Sequence, residues 1–118
     1  MIRVYVYDKC STCRNALKWL DERGIECEVL AIKETPPSDA DLKAMLESKE
    51  GELRKLFNTS GMDYRSMGLK DKIPTLSETE AFALLQSNGM LVKRPFLIGD
   101  GHALTGFREK EWVASFGE

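Results

Sequence analysis

The spacing of apolar positions changes several times along the chain. Between Ile2 and Tyr7, β-branched and aromatic side chains follow without a breaker until Asp8-Lys9, which predicts a short strand running into a loop. From Thr12 to Arg23 the period becomes three and four. Cys13, Ala16, Leu17 and Leu20 share one face, Arg14, Lys18, Asp21 and Glu22 fall opposite, and Gly24 supplies the stop. Ile25, Cys27 and Val29 then alternate with Glu26 and Glu28 before Leu30-Ala31-Ile32, which predicts a second strand. Strand, helix and strand within about thirty residues make a parallel βαβ unit.

Pro36-Pro37 breaks the chain, and Ser38 caps a helix whose Leu42, Met45 and Leu46 face inward. A further turn or two after Gly51 carries Leu53, Leu56 and Phe57. Asn58-Thr59-Ser60-Gly61 is turn chemistry, and no element is assigned from there through Lys72. In that stretch Tyr64, Met67 and Leu69 read as core anchors or as a contact surface. Ser77-Glu78-Thr79-Glu80 has capping-box spacing, Ala81, Leu84 and Leu85 follow on one face, and Asn88-Gly89 ends that helix. Phe96-Leu97-Ile98, the tight Gly99-Asp100-Gly101-His102 and Ala103-Leu104-Thr105 predict an antiparallel hairpin. A last helix begins near Glu109 and buries Trp112, Val113 and Phe116. The order βαβ, helices, ββα is that of an α/β, thioredoxin-like fold, a mixed four-stranded sheet with a helical insertion between its two halves.

Composition narrows the class. With 42% apolar residues in 118, residues 1–118 suffice for one domain with a buried core. Seventeen basic and nineteen acidic residues give a net charge of −2, so no excess of positive charge favours direct binding of nucleic acid or an anionic membrane. Apolar runs stop far short of the roughly 20 residues that cross a bilayer, and the expected location is the cytoplasm. Three cysteines are an odd and small set, and two stand together as Cys10-Ser11-Thr12-Cys13. That usage points to reactive thiols in a reducing compartment rather than to structural disulfides.

Cys10 falls just before a helix N-terminus, where the helix dipole and orphan N–H groups favour thiolate over thiol. It is the expected nucleophile. Cys13, three residues on, projects to the same face and is the expected resolving thiol. Arg14 is expected to add a cation close to the sulfur, and the small Ser11 and Thr12 leave Cys10 open to substrate. A C-x-x-C pair also serves as half of a zinc site, but the other ligands on offer are Cys27 and His102. Cys27 reads as a buried strand residue and His102 as part of a solvated turn, so no metal is expected. Arg94-Pro95 precedes the third strand, where a proline would stand opposite the cysteine loop without offering it an N–H. Arg94 would then face an incoming oxyanion or carboxylate, which its planar fork binds bidentately.

Taken together, Cys10-Ser11-Thr12-Cys13-Arg14-Asn15-Ala16-Leu17, Pro36-Pro37-Ser38, Phe57-Asn58-Thr59-Ser60-Gly61 with Tyr64-Arg65, Lys93-Arg94-Pro95 and Thr105-Gly106-Phe107-Arg108 resemble the arsenate reductase (ArsC) family in its Spx-like branch. The resemblance runs over nearly the whole chain in the same order. It implies a catalytic cysteine at Cys10 and an oxyanion-binding arginine at Arg94. Family members that reduce arsenate do so through a thiol adduct resolved by glutathione and glutaredoxin, with two further arginines at positions nearest Asn58 and Gly106 here. They lack a cysteine at the position of Cys13, which favours a self-contained dithiol cycle in this chain.

The expectation is therefore a thiol/disulfide oxidoreductase in which Cys10, Cys13 and Arg94 carry the chemistry and Arg14, Arg94 and Pro95 line the substrate site. No bound cofactor is expected, with glutathione, thioredoxin or glutaredoxin as reductant. The alternative implied by the resemblance is an Spx-like redox switch that binds the α subunit of RNA polymerase.

Overall fold

In the computed structural model, which describes residues 1–117, the central sheet has four strands in the order β2-β1-β3-β4. Strand β1 (Ile2–Val6) pairs in parallel with β2 (Cys27–Ala31), and α1 (Ser11–Glu22) connects them. Strand β3 (Phe96–Gly99) runs antiparallel to β1 and forms a hairpin with β4 (His102–Thr105). Between the two halves lie α2 (Asp39–Ser48), α3 (Met62–Ser66), α4 (Leu69–Lys72) and α5 (Glu78–Ser87), and α6 (Glu109–Phe116) ends the described chain. This is the thioredoxin-like fold with a helical insertion that the residue pattern predicts.

The pleat sorts each strand's side chains into two cores. Ile2, Val4 and Val6 join Leu97 and Leu104 on the face covered by α1 and α6, where Cys13, Ala16, Trp19, Leu20 and Trp112 are buried. Tyr5, Phe96 and Ile98 point the other way, into the insertion helices, against Leu42, Met45, Phe82 and Leu85. Arg3 also serves that second face. Its guanidinium meets the buried Asp41 of α2, with Nε donating to Oδ2 at 2.9 Å, and the Tyr5 hydroxyl donates to the same Oδ2 at 2.7 Å. Ser38 accepts from the Asp41 N–H as the N-cap of α2, and Ser77 and Glu80 close the capping box of α5, as the sequence predicts.

Four local readings change. The residues left unassigned after Gly61 fold into α3 and α4, and their Tyr64 and Leu69 are buried anchors rather than a contact surface. The second strand is shorter than the apolar pattern suggests. Because it is a sheet edge, Cys27 is half-buried and Val29 is 52% exposed. His102 opens β4 rather than sitting in a free turn, and its ring stacks on Phe116 at 3.9 Å between centroids. Gly89 marks a close backbone approach as well as a helix end, since a Cβ there would lie 2.0 Å from the Ile32 carbonyl oxygen.

Candidate active site

The register gathers the chemistry at one end of the sheet. Tyr5 pairs with Phe96, so the C-terminal end of β1, the loop to Cys10 and the Arg94-Pro95 segment lie together. Cys27 pairs with Ile2, and His102 with Gly99, which places both at the far end. The two cysteines of the motif and these two residues therefore do not converge. Among the described residues no group of three or more His, Cys, Asp or Glu is placed to hold a metal ion.

Cys10 is the N-cap of α1. Its own N–H donates to the Tyr7 carbonyl at 3.0 Å, which closes the loop, and its extended backbone points Sγ at the first helical turn. The Cys13 N–H donates to that sulfur at 3.4 Å. Burial works against the charged form of Cys10, but the Cys13 thiol and N–H, the charge of Arg94 and the Thr12 backbone outweigh it and lower the pKa. Cys13 is 1% exposed and moves the opposite way. Burial, with the neighbouring Cys10 adding to it, pushes its thiol up to about 12. Both cysteines are free thiols, Cys10 half-buried between exposed Lys9 and Ser11. The more accessible sulfur is thus shifted toward the thiolate and its buried neighbour toward the thiol.

Arg94 is the cation that acts on both sulfurs. Its Nη1 donates to the Met90 carbonyl at 3.1 Å, its guanidinium carbon stands 5.3 Å from the centroid of the Tyr7 ring, and its buried Nε has no hydrogen-bond partner among the described residues. Pro95 is buried, the Arg94-Pro95 bond is cis, and the Pro95 carbonyl accepts from Gly106 at 2.9 Å.

Arg14 lines one hollow with Tyr7, Asp8 and Cys13. Its guanidinium donates to the Asp8 carbonyl at 3.0 Å, which braces the cysteine loop. Asn58 donates its N–H to Leu91 at 2.7 Å, so both it and Gly106 flank the segment that carries Arg94 and Pro95. Elsewhere Arg54 and Arg65 are exposed, and Arg108 faces Glu111 at 3.8 Å. Tyr7 and Met90 were not singled out from the sequence. Tyr7 carried a signal as the last aromatic before the cysteine loop, whereas the Met90 contribution is a carbonyl, which any residue supplies.

The comparisons agree with the fold. The model of the ArsC family matches residues 5–115, and the chain belongs to that family. The uncharacterized protein YusI of Bacillus subtilis (strain 168) is 50% identical over 109 residues, covering 92% of each chain. An arsenate reductase of Rhizobium meliloti (strain 1021) is 30% identical over 82% of this chain and 68% of its own. The global transcriptional regulator Spx of Listeria innocua is 26% identical over 94% of this chain and 83% of its own. The crystal structure of a possible arsenate reductase from Streptococcus mutans UA159 superposes with a TM-score of 0.85 at 43% identity, covering 95% of this chain and 97% of that one.

Proposed function

We propose that this protein is a thiol/disulfide oxidoreductase in which Cys10 attacks and Cys13 resolves. The observation that carries the reading is the Cys13 N–H on the Cys10 sulfur at the start of α1, with Arg94 beside it. In the forward cycle the Cys10 thiolate attacks one sulfur of an oxidised substrate and expels the other as a thiolate, which takes up a proton. Cys13 then gives up its proton and attacks the Cys10 sulfur. The substrate's second sulfur leaves as a thiol, a Cys10–Cys13 disulfide remains, and two electrons have passed to the substrate. Glutathione, thioredoxin or glutaredoxin restores the dithiol. Arg94 offers its guanidinium to the substrate's negative charge, and the Pro95 ring presents no competing N–H to the thiolate.

Arsenate is one candidate substrate, supported by the reductase named among the relatives. The test incubates Cys13→Ser with a disulfide substrate and, separately, with arsenate and glutathione. Cys10 should be trapped as a mixed disulfide in the first, and only the second reports arsenate reduction. Cys10→Ser should abolish both. Full turnover by Cys10→Ser overturns the reading.

A second reading is favoured by the likeness to Spx over 94% of the chain. On that reading the thiol pair is a switch whose oxidation alters the surface offered to the α subunit of RNA polymerase. Capture of that subunit in one redox state and not the other supports it, and capture in neither removes it. Among the described residues no helix is long and apolar enough to cross a membrane, and a cytoplasmic site of action is part of the proposal.

A further inference from the structure

Beside the thiol site the surface carries a concentration of positive charge that the net charge of −2 conceals. A cavity of about 370 Å³ is lined by Arg54, Lys55, Lys70 and Lys93, with Phe57, Tyr64 and Thr59 completing it and no carboxylate among the lining residues. A second cavity of about 230 Å³ shares Lys55 and Lys93 and adds Lys49 and Arg108; Glu111 faces Arg108 at 3.8 Å and Glu52 faces Lys55 at 3.6 Å, which leaves the cations in excess. The two therefore form one strip. Lys93 donates its N–H to the Leu56 carbonyl at 2.8 Å, which ties the middle of the strip to the neighbouring backbone. Burial pushes the Lys49 amine below its ordinary range, Glu111 opposes, and Lys93 and Lys55 add to the push, so these three amines share one field. Lys93 is followed directly by Arg94, and Thr105 in the second cavity pairs with Phe96, the residue after Pro95. The strip thus adjoins the segment that carries Arg94 and Pro95.

We propose that this strip binds an acidic polypeptide segment of the protein whose disulfide is exchanged at Cys10, an inference that rests on the oxidoreductase reading above. The form of the strip selects the ligand. Its cations are strung across two adjoining hollows rather than converging on one point, which suits a row of carboxylates better than a compact phosphate. The chemistry at its end acts on sulfur, which a polypeptide carries and a nucleic acid does not. Exposed charges of this kind act chiefly on encounter rates and fade as salt shortens the Debye length from about 10 Å at 0.1 M.

The test uses two peptides that each carry one cysteine as a mixed disulfide with 2-mercaptoethanol, flanked by four Glu on either side in one and by four Gln in the other. Exchange with Cys10 is followed by mass. At low salt the Glu peptide should react about tenfold faster. That advantage should vanish at 0.5 M salt and in the exposed triple variant Arg54→Gln/Lys55→Gln/Lys93→Gln. Equal rates for the two peptides at low salt overturn the proposal. If neither peptide exchanges, the oxidoreductase reading fails and the strip is read from binding alone, by fluorescence anisotropy of labelled peptides with serine in place of cysteine. Tighter binding of the Glu form that the triple variant loses upholds the strip, and no preference overturns it. Displacement of the bound Glu peptide by an equimolar amount of pyrophosphate overturns it too, in favour of a compact phosphate site.

Discussion

The guanidinium of Arg94 lies over the ring of Tyr7, 5.3 Å from its centroid, while the Tyr7 carbonyl takes the N–H of Cys10. One residue thus positions both the nucleophile's loop and the cation that favours its charged form. Replacing Arg94 by Gln keeps the size and removes the charge. The Cys10 pKa should rise, because a charge that lowers it is gone. Loss of a charge-assisted hydrogen bond worth roughly 1.5–3 kcal/mol should slow reduction of an anionic substrate about tenfold to hundredfold. A neutral disulfide should suffer less, so steady-state rates on the two substrates check both parts.

Asp41 joins the sheet to the insertion through Arg3 and Tyr5, and it is 4% exposed. Asp41→Asn should cost about 2 kcal/mol at pH 7, after allowing for the partly exposed guanidinium of Arg3. Burial would raise the carboxyl pKa, but the hydrogen bonds from Arg3 and Tyr5 prevail and hold it below the ordinary range. A depressed native pKa gives a contribution that is complete above the unfolded value near 3.9 and is lost as pH falls through the native value. Urea titrations of the two proteins should therefore differ at pH 7 and converge at the acid end. A difference that persists there would mean that the pair's charge is not what holds α2.

Much of this arrangement is legible from residue types alone. The helix after Cys10 shows in the three-four spacing of Cys13, Ala16 and Leu20, and the α5 capping box shows in Ser77 and Glu80, because local hydrogen bonding and amphipathic spacing decide both. The Arg3–Asp41 link was not legible. An aspartate in a helix's first turn ordinarily faces water, and nothing local marks one that is buried by a strand 38 residues away in sequence. The element boundaries after Gly61 were hidden because α3 and α4 are four or five residues long, too short to show a period.

Gly89 offers a test of how firmly Arg94 is held. It begins the short turn Gly89–Leu91 that supplies the Met90 carbonyl to Arg94, and it packs on the backbone of Ile32. Gly89→Ala should force the two segments apart at a cost of about 1–3 kcal/mol, measured by thermal or urea unfolding. In protein that remains folded the Cys10 pKa should rise toward that of Arg94→Gln. An alanine variant as stable as the parent would show that this contact is not tight.

The most direct test of the central claim is the pH dependence of alkylation at each cysteine, with the modified peptides resolved by mass. The account predicts that Cys10 reacts with a midpoint below the ordinary thiol value of about 8.5, while Cys13 stays unreactive until the pH approaches about 12. An ordinary or raised midpoint for Cys10, or a Cys13 that reacts first, would contradict the assignment of nucleophile and resolving thiol.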